Sequence, residues 1–418
     1  MKVFLTLEHR FQRTPDGAVW STMFPQTLWQ RYLGIFDEIE LVARVRDVES
    51  VDATFKRVDG NGVRFRGLPY YQGPQQFLLK CLPFRRALLA ITEERAPVIL
   101  RVPSNLATIL IPRLIARGIP YAVEAVADPW DNFSPGTTRH PLRAFFRHAY
   151  SRHMRQHCRD AHASLYVTER ALQRRYPAGP GRYTVGVSDV DLPASALVEQ
   201  ARNAESFRAA RPFRLVCVGA FSLLYKAQDI LVQAFAKIAA QRPELELVFA
   251  GDGRFLPQVR GLAEKLGCAA RVKFLGQVSG GAGVRGVLDG AHLFVLPSRQ
   301  EGLPRAMVEA MARGLPCVAS DVGGHSELLS TDLLVPPGDV DALAQKLATV
   351  TAEPERLARL SAANLQRARD FTDHLLQPRR AAFLTAYREI AEHWLAQDAP
   401  DHRLASLDLA TVQPVPAN

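Results

Sequence analysis

Residues 298–329 (SRQEGLPRAMVEAMARGLPCVASDVGGHSELL) hold the residue types and spacing that point most directly to chemistry. An apolar run at 292–297 reads as a buried strand that ends in a short loop, and Pro304 then opens a helix. Proline suits the first helical turn, where its missing N–H costs nothing. Glu301 stands just before that helix and Glu309 eight residues on, little more than a turn inside it. Amides at a helix N-terminus, together with the helix dipole, favour a diphosphate. A carboxylate in the loop can accept hydrogen bonds from sugar hydroxyls, and one further along can accept both hydroxyls of a ribose. The arrangement therefore suits a nucleotide sugar. The plain alternative for Glu309 is an i, i+4 pair with Arg305, but cation before anion is the weaker order on a helix.

Other constellations carry less. Leu142, Phe145, Phe146, Ala149, Tyr150, Met154 and Cys158 recur at three- and four-residue spacing, so 142–161 reads as one amphipathic helix. Arg143, Arg147, Arg155 and Arg159 form a neighbouring row. That row is either a solvated face or a patch for an anionic surface. GAGVRG, with Gly281, Gly283 and Gly286, is a literal GxGxxG, yet a dinucleotide fingerprint opens the first strand–helix unit of its sheet. Two DxD strings, Asp189–Asp191 and Asp339–Asp341, make poor metal sites. The first falls in a linker, and Asp339 after PPG reads as a helix N-cap. The histidines form no HExxH, and the five cysteines form no CxxC pair.

Two layered sheets must position these groups. Strands are expected at 2–7, 39–45, 98–102, 121–126 and 164–168, with helices at 77–92 and 105–117 and a weaker one at 25–33. The second half repeats the rhythm, with strands at 214–218, 245–250, 272–275, 293–296, 317–320 and 333–335. Strand–helix alternation predicts an α/β fold with parallel sheets covered on both faces. The expected organisation is an acceptor-binding domain at 1–190, a linker at 191–210 and a donor-binding domain at 211–397. The last helix is expected to cross back to the first domain, and 398–418 to form a disordered tail.

The length of 418 residues fits two domains, and 47% hydrophobic with 22% charged residues is ordinary globular composition. The scattered cysteines suit a reducing compartment. The opening MKVFLTLEHRFQ has too short an apolar run for a secretory leader. No stretch approaches the ~18 apolar residues of a membrane span. A cytoplasmic protein is expected, peripheral at most to the inner face of a membrane. The net charge is +10; residues 1–205 hold 28 Lys+Arg against 20 Asp+Glu, and the rest 24 against 22. The excess in the first half attracts phosphate, anionic lipid or nucleic acid alike.

E-x7-E followed by AMARGLPCVASDVGG and LLVPPGDVDALAQKL resembles the donor-binding half of the retaining glycosyltransferases of family 4. VCVGAFSLLYKAQDILVQAFAKI (216–238), LVFAGDGRFLPQV (247–259) and RVKFLGQV (271–278) extend the likeness upstream, so that it covers about 213–350. The first half resembles the family only in its strand rhythm. The resemblance implies the GT-B fold, two Rossmann-like doubly wound domains facing each other across a cleft. It also implies a nucleotide-diphosphate sugar as donor, no metal or other cofactor, and retention of anomeric configuration.

Residue by residue, the resemblance has Glu301 bind donor sugar hydroxyls, Glu309 the ribose, and Lys226 neutralise the departing diphosphate, while Gly219, Gly253, Val278, Gly302, Leu303 and Arg305 complete the donor site. The family commonly adds an Arg after the strand-ending Gly; here Ala220 and Phe221 follow Gly219. Arg254, Arg299 and Arg305 are the candidate replacements. In VEAVADPWDNFSPG (123–136), Asp128 stands where many relatives carry a catalytic His. It could meet a sugar hydroxyl or an oxocarbenium-like transition state, or else cap a turn before Pro129. Gly17, after the first strand, is either a diphosphate-loop glycine or a simple turn. The leading expectation is a sugar transferase acting on a small, lipid-linked or polysaccharide acceptor. A nucleotide-sugar epimerase or hydrolase on the same fold is one alternative. A non-catalytic basic protein binding membrane or nucleic acid is another, though no dedicated nucleic-acid motif is present.

Overall fold

The computed structural model describes residues 1–397 apart from Gly136, Thr138, Arg139 and the side chain of Pro74; the expected tail at 398–418 lies outside the described residues. VILRV and YAVEA are buried almost throughout, as parallel strands covered on both faces must be, and they form the adjacent central strands Val98–Val102 and Tyr121–Ala125. Around them the first sheet runs, all parallel, Val63–Leu68, Glu38–Asp47, Lys2–Arg13, Val98–Val102, Tyr121–Ala125, Ala163–Tyr166 and Tyr183–Gly186.

The first strand is longer than the expected 2–7. Past a register shift between Thr6 and Arg10 it keeps its pairing with Glu38–Asp47, and its far end also pairs antiparallel with Val19–Ser21. Polar residues there hid the continuation. The expected helix at 25–33 is a 3-10 turn, Gln26–Trp29, joined to one α turn, Gln30–Leu33. The expected linker carries a short helix, Ala204–Ala209, capped by Asn203 and anchored by buried Phe207.

The second sheet is parallel throughout, in the order Val272–Phe274, Leu245–Ala250, Phe213–Val218, Leu293–Leu296, Cys317–Ser320, Leu334–Val335. Both sheets are therefore doubly wound Rossmann-like layers. The final helix, Asp373–Ala396, returns to the first sheet and packs on Ala163–Tyr166 and Tyr183–Gly186. There the Tyr387 hydroxyl accepts from the Val98 N–H at 2.8 Å. Among the described residues, no helix is long and apolar enough to cross a membrane.

Candidate active site

In the second sheet the chain order reverses between Phe213–Val218 and Leu293–Leu296, and such a switch point opens a crevice beyond the strand ends. Two loops line it, 219–227 and 297–304. In the first, Lys226 ends a 3-10 turn, and Ala227 takes a left-handed conformation (φ 54°) from which helix Gln228–Ala239 departs. That conformation costs a non-glycine residue about 1–2 kcal/mol. Arg299 holds the turn in place: its N–H donates to the Tyr225 carbonyl at 2.7 Å and its guanidinium to the Leu224 carbonyl at 2.6 Å. The same guanidinium grips Asp229 with two bonds of 2.8 and 2.7 Å. The Lys226 stem lies over Gly219, where a Cβ would come within 3.0 Å of Lys226 Cγ. Gly253 lies against Phe221 and Ser222 of the same loop, too close for any side chain.

Glu301 in the second loop meets Lys226 directly. Its Oε1 accepts from Lys226 Nζ at 2.6 Å and from Ser298 Oγ at 2.7 Å. The Ser298 carbonyl in turn accepts from Ser320 Oγ. Burial opposes the Glu301 charge, but Lys226, the nearby His325 and the hydrogen bonds outweigh it and hold the carboxyl below its usual range. Burial likewise opposes the Lys226 ammonium, and Glu301 outweighs it, so both stay charged. His325 is fully buried and held below the usual imidazole range by burial, with Nδ1–H donating to the Ser320 carbonyl at 2.5 Å.

The loop is clasped from both sides. A Cβ on Gly302 would stand 2.3 Å from the Val126 carbonyl, at the end of a strand of the first sheet. Gly324 donates its N–H to the Gly302 carbonyl at 2.7 Å. Leu303 is buried, Pro304 caps, and helix Arg305–Ala312 begins. Glu309 lines a cavity of about 280 Å³ together with Asp191, Leu192, Pro193, Gly281 and Arg285. Burial raises its pKa, Arg305 and Arg285 work against the shift, and Asp191 adds to it. Val278 is half-buried just before the helix that Gly281 caps.

Residues 212–353 match the family described as glycosyl transferases group 1. Protein CapJ of Staphylococcus aureus is 26% identical over 337 residues, 78% of this chain and 80% of CapJ. Sucrose-phosphate synthase of Thermosynechococcus elongatus superposes with a TM-score of 0.65 at 18% identity, over 94% of this chain and all of that one. Alr3699/HepE of Anabaena, solved with UDP and glucose, gives 0.60 at 17% identity, over 95% and 100%. Residues 212–353 carry the glycosyl transferases group 1 match, which spans about a third of the chain. The chain is a nucleotide-sugar-dependent glycosyltransferase, similar in that segment to the retaining family 4, and its fold is GT-B.

The glycosyltransferase does not bring every expected residue to the crevice. Asp128 is buried and spent on structure. Its Oδ1 accepts from the Trp130 N–H at 2.8 Å and from the Tyr176 hydroxyl, and Oδ2 pairs with Arg175. It caps Pro129–Asn132, which corrects the expectation of a carboxylate free to meet substrate. Gly17 stands in an exposed hairpin turn (φ 84°), its N–H bonded to the Thr14 carbonyl, as a simple turn requires. Arg299, held by Asp229, is no spare cation; exposed Arg254 and Arg305 form no ion pair with a described residue. The arginine row is stitched to its own domain. Arg143 donates to the Phe133 carbonyl, and Arg147 to Trp130 and Ser134 while lying 3.8 Å over the Trp130 ring. Arg155 donates to the Arg175 carbonyl and Arg159 to Asp160. Asp189 is held by Arg101 at 2.6 Å, and Asp339 caps its helix.

Two acidic residues that sequence reasoning gave no role join the halves. Asp131 Oδ2 accepts from the Gly323 N–H at 3.2 Å, and burial, then repulsion from Asp128, lifts its carboxyl to about 6. Glu327 accepts three backbone N–H bonds, from Glu169, Arg170 and Ala171, at 2.5–2.8 Å. Acidic residues in short helical turns, Pro129–Asn132 and His325–Leu328, were the available signal, but only folding shows which of them reaches across.

Proposed function

We propose that the crevice takes a nucleoside diphosphate sugar with its diphosphate between Lys226 and the start of helix Arg305–Ala312. The sugar lies against Glu301 and the ribose against Glu309. The Lys226–Glu301 pair carries this reading: a buried cation and anion 2.6 Å apart at the switch point can be redistributed between a diphosphate and sugar hydroxyls. As the leaving diphosphate gains charge, a preorganised ammonium in a dry cleft stabilises it by several kcal/mol. With Lys226 and helix amides in that role, transfer needs no metal ion. Gly219, Gly253, Val278, Gly302 and Leu303 shape the donor pocket, and Arg254 or Arg305 supplies the second cation.

The acceptor enters from the first domain and is a glycan or lipid-linked precursor. Peripheral contact with an anionic membrane belongs to the same reading, with Arg152, Arg155 and Arg159 exposed on helix Arg143–Asp160. The UDP-bound relative makes UDP-sugars the first donors to try. The test is a thermal-shift panel of UDP-, GDP-, ADP- and dTDP-sugars. A ligand at 100 times its Kd stabilises by about 2.7 kcal/mol, enough to rank donors. No shift with any of them, in wild type or with Glu309→Gln, would remove the donor reading.

A further inference from the structure

Helix Gly73–Leu89 is apolar on two opposite faces. Phe84 and Leu88 are fully buried against the first domain, joined by Phe77 and Tyr71. The outer face of an amphipathic helix ordinarily carries polar residues. Here it carries Leu78, Leu79 and Leu82, which are 74%, 85% and 81% exposed. Leu78 and Leu82 stand one turn apart, and Leu79 adjoins them. No other cluster of large apolar side chains among the described residues is so exposed.

The charges on the same helix limit what can cover this face. Lys80, Arg85 and Arg86 are exposed, and GPQQFLLKCLPFRRALL contains no acidic residue. None of the three cations forms an ion pair with a described residue; Lys80 donates to the Tyr70 carbonyl at 2.8 Å. A second copy seated on this face in a two-fold dimer would set these cations against their own equivalents. An anionic lipid surface answers both features: leucines enter the headgroup–acyl boundary while Lys and Arg stay among the phosphates.

We infer that the outer face of helix Gly73–Leu89 is a membrane-docking surface that inserts Leu78, Leu79 and Leu82 into an anionic leaflet. This rests on and deepens the membrane contact proposed above, adding to the arginines of helix Arg143–Asp160 an apolar anchor on a different element.

The experiment is co-sedimentation of the full chain with vesicles of phosphatidylcholine, alone or mixed with phosphatidylglycerol, at low and high salt. Wild type should pellet on the anionic vesicles. Leu78→Gln/Leu79→Gln/Leu82→Gln should lower vesicle partition at least tenfold with an unchanged melting temperature. Lys80→Gln/Arg85→Gln/Arg86→Gln should lower it mainly at low salt. Three results overturn the inference: equal pelleting of the leucine variant and wild type, no pelleting of wild type, or a dimer in solution that the leucine variant dissolves. Pelleting lost with Arg152→Gln/Arg155→Gln/Arg159→Gln but kept by the leucine variant would confine the contact to helix Arg143–Asp160. The nucleotide-sugar thermal shift is read on the same samples, so loss of docking and loss of the donor reading are told apart.

Discussion

Lys226 Nζ and Glu301 Oε1 lie 2.6 Å apart, although 75 residues separate them along the chain. Each is almost wholly buried, with 14% and 9% of its side chain exposed. Removing one partner of such a pair strands the other in a poorly solvated site and costs about 3–5 kcal/mol. Lys226→Met should therefore both destabilise the protein and cut turnover by a factor on the order of 10²–10³. Adding Glu301→Gln should recover much of the stability and none of the turnover. Denaturant melts and single-turnover rates separate the two effects. A Lys226→Met variant of wild-type stability and near-normal rate would end the argument.

The two motif glutamates are expected to fail differently. Glu309→Gln should weaken binding of the free nucleotide, because the partner proposed for it is the ribose. Glu301→Gln should reduce turnover more than nucleotide affinity. Calorimetric titration of UDP or GDP alongside initial rates makes the comparison, and equal loss of nucleotide affinity in both variants would remove the division.

Transfer should proceed in EDTA at an undiminished rate and give a product with the donor's anomeric configuration. Proton NMR of the first-formed product reads the configuration. Activity abolished by EDTA and restored by manganese would contradict the role given to Lys226.

Asp131 predicts a pH effect on stability. Its carboxyl titrates at about 6 in the folded chain, against 3.8 for an ordinary aspartate. Between those values the unfolded chain has already released the proton that the folded chain keeps. The favourable contribution is thus full below about 3.8 and is lost as pH rises through 6. Asp131→Asn should raise the melting temperature at pH 7.5, with the gain shrinking toward pH 4.5 and bounded by about 3 kcal/mol. A gain that does not vary with pH would show that Asp131 is not the titrating group.

Glu327 ties three amides of one domain to the other, and Arg367 reinforces it by donating to Glu169 at 3.0 Å. Glu327→Ala should loosen the closed arrangement. The expected signs are a larger radius of gyration by X-ray scattering and a raised KM for donor. An unchanged scattering profile would show that other contacts hold the halves together.

The sheet of the second half was legible because LFVL is a continuous apolar run and LELVFA is apolar but for Glu246, both buried along their whole length. Val63–Leu68 (VRFRGL) escaped because two arginines on an outer strand look like loop. Glu301 and Lys226 could be picked from spacing and resemblance, but their mutual pairing could not. Asp128 and Asp131 show the limit most plainly. Three residues apart on one turn, they share Arg175 and differ in the other neighbours folding brings, Tyr176 for one and Gly323 for the other. Arg254, Arg299 and Arg305 were equivalent on paper until Asp229 was seen to hold the second of them.

Gly302 has no side chain because the Val126 carbonyl occupies the space where one would go. A residue of the donor motif is thus sized by a backbone atom of the opposite domain. Chimeras that graft this C-terminal half onto a foreign acceptor domain, in the hope of recombining donor and acceptor preferences, inherit that fit as a constraint. A graft whose incoming strand ends even one residue later than Val126 would wedge the halves apart while leaving every motif intact. The useful boundary for such engineering is therefore set by where the Tyr121–Ala125 strand stops, well before the chain reaches the segment that links the two sheets.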